Sequence, residues 1–196
     1  MLYAVNDIFY SIQGEGYWTG TPAVFVRLAG CNLRCKWCDT DHTKKAELTA
    51  EQILMEIKAM VPRGIINLPV VLTGGEPTLQ ELAPLTTNLK QNGFTIAIES
   101  NGTNLKRVPN EVDWITVSPK SDWMYSTRIK CDELKVILTD DINPEDFRLT
   151  MYAEHYFLQP LYIDSRPSNL NDVVEYVKEN PVWRLSLQVH KMIGIK

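Results

Sequence analysis

Long apolar runs are missing from this sequence. No stretch approaches the roughly 18 residues that span a bilayer, so no membrane-spanning helix is expected. The opening MLYAVNDIFY has neither a basic segment nor a long apolar one and does not read as a secretory signal. A basic excess is missing too. Lys plus Arg number 20 against 24 Asp plus Glu, a net charge of −4, whereas a protein that grips nucleic acid through its phosphates usually shows the opposite balance. No internal repeat, linker or low-complexity stretch is visible. Cysteine is scarce, with four in 196 residues. A chain of this length can bury about 70% of its unfolded surface, so it needs no disulfide or metal staple. What is present is average for a globular protein: 44% apolar and 22% charged residues. The expectation is one soluble, cytoplasmic domain over residues 1–196, without membrane or direct nucleic-acid partners.

Apolar β-branched stretches alternate with helical patterns. Strands are expected at Ala23–Ala29, Pro69–Thr73, Phe94–Ser100, Trp114–Ser118, Glu133–Leu138, His155–Gln159 and Trp183–Leu187. Helices are expected at Glu47–Met60 with Thr49 as N-cap, at Leu79–Asn92 stopped by Gly93, at Asn143–Met151 and at Asn169–Glu179. The gap between Ser100 and Trp114 is too short for a full helix, and the tail after the last strand reads as helix-free. Strands alternating with helices predict βαβ units and a parallel sheet. A complete eight-fold barrel usually takes about 250 residues. The fold class expected here is therefore α/β, either an open sheet or an abbreviated, incomplete (β/α) barrel of about six parallel strands, the latter being what the family resemblance given below implies.

The polar, Gly-rich clusters sit just after expected strands. They are Gly30-Cys31, TGGEP (Thr73–Pro77), ESNGT (Glu99–Thr103), SPK (Ser118–Lys120) and Gln159-Pro160. In parallel α/β folds ligands bind at the carboxyl ends of the strands, so these clusters predict one functional rim.

Cys31, Cys35 and Cys38 form C-x3-C-x2-C, with Cys131 far off. Thiolates suit zinc and iron–sulfur clusters. A structural zinc site is closed by four ligands, which His42 could complete here. A cubane is likewise held by four cysteines, so three would leave one iron open to a substrate or cofactor. Cys131 reads as an ordinary buried thiol.

The cysteine motif with Trp37 inside it, and TGGEP after the next strand, resemble the radical S-adenosylmethionine (SAM) superfamily. In that family the three thiolates hold a [4Fe–4S] cluster whose open iron chelates SAM. Cleavage of SAM gives a 5′-deoxyadenosyl radical that abstracts hydrogen. SIQGEG (Ser11–Gly16), RLAGCNLRCKWCDT (Arg27–Thr40), ESNGT, SPK, DELK (Asp132–Lys135) and LSLQVHK (Leu185–Lys191) carry the resemblance further. Together they resemble the 7-carboxy-7-deazaguanine synthase family, lyases of queuosine and 7-deazapurine biosynthesis. These convert 6-carboxy-5,6,7,8-tetrahydropterin to 7-carboxy-7-deazaguanine with loss of ammonia, and need magnesium.

The resemblance implies that Cys31, Cys35 and Cys38 hold the cluster. It implies that Trp37, Cys38, Gly75, Ser118, Pro119, Lys120 and Gln159 line the SAM pocket, with Ser100 and Asn101 near it. Ile12, Gln13, Gly14, Glu15, Arg27 and Thr73 would face the pterin, joined by His190 and the terminal carboxylate of Lys196. Thr40 would give an oxygen to magnesium. It further implies an electron donor such as flavodoxin or ferredoxin, and a homodimer. The chemistry is consistent from below. Arg27 offers a planar fork to a carboxylate, an ionised Glu15 accepts from ring N–H groups, and magnesium takes oxygen ligands while keeping waters. Two alternatives share some of these features: an activase of a glycyl-radical enzyme, and a non-catalytic zinc module.

Overall fold

The computed structural model describes residues 1–62, 64–65, 67–121 and 129–196. These form two compact units, the first made of Met1–Ile12, Pro22–Ser100 and Asn104–Ile115, the second of Gln13–Thr21, Asn101–Thr103 and Thr116–Lys196. Among the described residues no helix is long and apolar enough to cross a membrane.

In the first unit the strand order is β3-β1-β2-β4-β5, with β1 Tyr3–Ile12, β2 Pro22–Leu28, β3 Ala46–Leu48, β4 Pro69–Gly74 and β5 Thr95–Ser100. The expected parallel core is there, as β2 with β4 and β4 with β5. The sequence did not disclose β1 and β3, which add antiparallel pairs at one side. Strand alternation then divides the labour. Val24, Val26, Leu28, Val70, Leu72, Ile96 and Ile98 are buried on one face together with Ile53 and Ile57 of α1 (Ala50–Met60) and Leu85 and Leu89 of α2 (Ala83–Gln91). The intervening residues point the other way. They include Phe25, Arg27, Thr73 and Glu99, and among them only Ala23, Val71 and Ala97 form a small buried cluster. One face of these strands is thereby closed by helices.

The expected helix at Glu47 begins at Ala50, because Ala46–Leu48 is taken up pairing with Tyr3–Val5. Thr49 is its N-cap, as predicted, in a reciprocal capping box with Gln52. The helix expected from Leu79 is a 3₁₀ turn at Pro77–Leu79 followed by α2, which ends before Gly93 at φ +81°. Only a 3₁₀ turn, Leu105–Arg107, lies between Ser100 and Trp114, as the short gap required.

β6 (Trp114–Val117) begins in the first unit and ends in the second. The second unit orders β6-β7-β8-β11, with β7 Ile129–Leu138, β8 Met151–Pro160 and β11 Trp183–Leu185. All three pairings are parallel. A two-residue pair, β9 Tyr162–Ile163 with β10 Arg166–Pro167, stands apart. Leu134, Val136, Leu158 and Trp183 are buried, as are Phe147 of α3 (Pro144–Thr150) and Val173 of α4 (Leu170–Glu179). Asn143 caps α3 by accepting from the Glu145 N–H, as its place before Pro144 predicted. On β7 and β8, Glu133 registers with His155, Lys135 with Phe157 and Ile137 with Gln159, so these residues share a face.

The tail is not helix-free. Val189–Ile193 form a short helix, α5. Gly194 closes it in the left-handed conformation, its N–H bonded to the His190 carbonyl. The Val189 N–H donates to the Gly14 carbonyl at 2.9 Å, a distant anchor that local pattern could not reveal.

Candidate functional site

In the first unit the chain leaves β2 at Leu28, turns through Gly30 at φ +89°, and runs without regular structure through the cysteines to β3. The Gly30 N–H donates to the His42 carbonyl at 2.9 Å, which pinches the base of the loop. Inside it the Cys38 N–H donates to the Cys35 carbonyl at 3.2 Å and the Leu33 N–H to Cys31 Sγ at 3.4 Å. Cys31 and Cys35 are half-buried, Cys38 is exposed and none is in a disulfide. TGGEP lies against the base of this loop. A Cβ on Gly75 would come within 2.0 Å of the Gly30 carbonyl oxygen and 2.9 Å of Cys31 Cβ, so only glycine allows the two motifs to meet. The Glu76 N–H donates to the Gly30 carbonyl at 2.9 Å.

This donor set fits a thiolate-bound cluster with one iron left over. A cubane takes each thiolate at a separate iron, whereas zinc gathers its ligands at one point. His42, the fourth ligand that zinc would need, meets Gly30 through its backbone carbonyl.

Glu76 lies within TGGEP, where the sequence implies no individual role for it. It is fully buried, and its Oε1 accepts from the Thr78 N–H at 3.0 Å, the Thr78 hydroxyl at 2.6 Å and the Ser100 hydroxyl at 2.9 Å. Ser100, expected near SAM, thus ties the end of β5 to the turn after β4. Arg27 and Thr73 are register neighbours on β2 and β4. Arg27 stacks its guanidinium 5.5 Å from the Phe9 ring centre, and its Nε is buried without a hydrogen-bond partner among the described residues. Ile12 ends β1 and is half-exposed. Trp37 and Thr40 are half-buried. The Thr40 hydroxyl donates to Asp39 at 3.4 Å. The Asp41 carboxyl lies well below the usual carboxylate range because it accepts from the Thr43 backbone and from Lys45 and Thr43 side chains.

In the second unit Gln13–Thr21, which carries the QGEG part of SIQGEG, is closed into a loop by Gln13 N–H to the Thr21 carbonyl and Gly20 N–H to the Gln13 carbonyl, both 2.8 Å. Two of its glycines are close approaches. A Cβ on Gly14 would meet His190 Nδ1 at 2.2 Å, and one on Gly16 would meet Glu133 Oε1 at 2.1 Å. Gly14 and His190 are therefore brought together, with Gln13 and Glu15 flanking Gly14 in the chain. Lys196 is exposed beyond Gly194.

Glu15 is the electrostatic centre. Lys135 Nζ stands 2.7 Å from its Oε2, and Gln188 Nε2 donates to its Oε1 at 2.6 Å. Burial alone would raise the Glu15 carboxyl. The Lys135 charge and hydrogen bond, the Gln188 amide and His190 more than offset this and hold it well below the ordinary carboxylate range. Nearby, Glu133 Oε2 accepts from the Tyr17 N–H at 2.9 Å. Ser186 Oγ accepts from the Gly16 N–H at 3.0 Å and donates to Gln159 at 2.9 Å. Among the other residues expected at SAM, Lys120 donates to the Ser118 hydroxyl at 2.8 Å, Pro119 is buried, and Asn101 accepts from Thr103 in an Asx turn.

Lys135, Gln188, Glu133 and Ser186 received no individual role from the sequence. A signal existed for two of them: the two-residue period of a strand puts Glu133 and Lys135 on the face that also carries Gln159.

Residues 25–122 match the radical SAM superfamily. The whole chain is 41% identical over 197 residues to the 7-carboxy-7-deazaguanine synthase of Bacteroides thetaiotaomicron, covering 100% of both proteins. It is 40% identical over 216 residues to that of Burkholderia multivorans, again covering 100% of both. The crystal structure of QueE from Escherichia coli is similar with a TM-score of 0.72 and 29% identity, covering 96% of this chain and 95% of that one.

Proposed function

We propose, for a chain that belongs to the 7-carboxy-7-deazaguanine synthase family of radical SAM enzymes, that it converts 6-carboxy-5,6,7,8-tetrahydropterin to 7-carboxy-7-deazaguanine with loss of ammonia, in 7-deazapurine and queuosine biosynthesis. The family's cofactors are a [4Fe–4S] cluster and SAM, which when bound supply the hydrogen-abstracting radical. Everything else falls to the protein's own residues. Cys31, Cys35 and Cys38 are the thiolate ligands. Gly75 lets backbone lie flat against the root of their loop. Arg27 offers its unpaired Nε–H to the substrate carboxylate. Thr40, beside Asp39 and Asp41, supplies an oxygen to magnesium. A flavodoxin- or ferredoxin-type donor supplies the electron, and two copies form the working dimer.

The observation that carries the substrate reading is the Glu15 carboxylate, held ionised by Lys135 and turned by Gln188. An ionised carboxylate only accepts hydrogen bonds, and the edge of an aminopyrimidinone ring offers N–H donors. A glycyl-radical activase would share the cysteine spacing, but full-length identity to synthases argues against it. Membership of a radical SAM family sets the zinc module aside.

The test is anaerobic reconstitution followed by turnover with reductant, SAM, magnesium and the carboxy-tetrahydropterin. The deazapurine should appear by mass spectrometry, fall on chelation of magnesium, and vanish in Cys31→Ala. Product from Cys31→Ala, or none from loaded enzyme, overturns the reading.

A further inference from the structure

The second unit holds a buried ion pair that packing alone does not require. The Lys135 side chain is 4% exposed and that of Glu15 15%. A buried pair is often no more stabilising than apolar residues of the same volume, so its presence calls for another use. A second observation lies beside it. Gln188 gives its Nε2 to Glu15, and because a carboxylate only accepts, that contact fixes which way the amide is turned. The Gln188 carbonyl oxygen is then a buried acceptor with no donor among the described residues. Leaving such an atom unsatisfied is costly. Next to a carboxylate with lone pairs to spare, it makes a surface of acceptors suited to adjacent N–H donors.

We infer that Lys135 is the positioning residue of this site. It cancels the charge of Glu15 while taking one lone pair of Oε2 and leaving others free, so that Glu15 and the Gln188 carbonyl select an uncharged ring edge with neighbouring N–H donors. An unpaired carboxylate in the same place would favour a cationic amidinium-like edge; the paired one does not. The inference rests on the reading of the substrate as an aminopyrimidinone, and adds how its ring is recognised. The titratable groups around Glu15 are Lys135 and Glu133 from β7, His155 from β8, His190 from α5, and Tyr162, whose hydroxyl accepts from the Gln188 N–H at 3.0 Å. Of these, Lys135 is in direct ionic contact with it at 2.7 Å.

The probe is pterin-6-carboxylate, titrated calorimetrically into the cluster-loaded, SAM-bound enzyme between about pH 5 and about pH 7.5. The readout is the difference between the unsubstituted and Lys135→Met profiles, because every other group is common to both. With Lys135 gone, the acid limb of binding should rise by about 1–3 pH units, weakening affinity tenfold or more at the acid end, and Lys135→Arg should restore the original profile. A folded Lys135→Met with the unsubstituted profile overturns the inference and leaves the substrate reading standing. No pterin binding by unsubstituted enzyme removes both. If Lys135→Met does not fold, carboxyl-carbon NMR of the unsubstituted enzyme, assigned by Glu15→Gln, decides. Glu15 ionised throughout the window supports the inference, and a midpoint inside the window overturns it.

Discussion

Four cysteines carry one functional group in two electrostatic settings. Cys31, Cys35 and Cys38 sit half-buried or exposed on a loop. Cys131 is buried within β7, and burial, aided by Asp132 and Glu133, pushes its thiol up to about 12. The thiolate is the form that binds metal and attacks alkylating reagents. Cys131 therefore stays protonated and silent through neutral and mildly alkaline pH. Iodoacetamide on the metal-free protein at pH 8 should modify three thiols and reach the fourth only in denaturant. Cys131→Ala should still take up about four irons on reconstitution. Rapid labelling of Cys131, or iron loss in Cys131→Ala, would contradict this assignment.

At the scale of elements, what could be read from the sequence was what local pattern determines. Thr49 and Asn143 cap helices because a side-chain oxygen beside a helical run has a partner a few residues away. The parallel strands were legible because runs buried on both faces read as continuous β-branched stretches. β1 was not legible. Asn6 and Asp7 interrupt its apolar period at a register shift between Val5 and Asp7, and the buried Asn6 amide is satisfied by distant partners, the Thr43 carbonyl at 2.8 Å and the Asp41 carboxylate. α5 and the role of Gln188 depend on contacts with Gly14 and Glu15, more than 170 positions away in sequence. The cysteine ligands were legible because their spacing is local; Lys135 and Gln188 were not, because their meaning lies in what they touch. The contact between TGGEP and the cysteine loop is of the second kind, and it can be tested. Gly75→Ala places a methyl group 2.0 Å from the Gly30 carbonyl oxygen. Overpacking of this sort costs about 1–3 kcal/mol, and the loop base must shift to relieve it. Lower melting temperature and iron uptake well below that of the unsubstituted protein are expected; unchanged iron and melting would show that the loop does not depend on this contact.

For the whole molecule, similarity to the synthases runs from end to end, so the family's cofactors concern the entire chain's stability and not one loop alone. A ligand that binds only folded protein stabilises by mass action, about 2.7 kcal/mol at a hundredfold excess over its dissociation constant. For a chain of this size one kcal/mol raises the melting temperature by about 2–4 °C, so saturating SAM should add about 5–11 °C to cluster-loaded protein. The same SAM should do little for Cys35→Ala, where one of the three thiolates is gone. That contrast separates SAM bound through its cofactor from SAM bound to the protein surface, because both forms share every other residue. Equal shifts in the two proteins would mean that SAM affinity does not pass through the cysteine loop, and the assignment of that loop would have to be withdrawn.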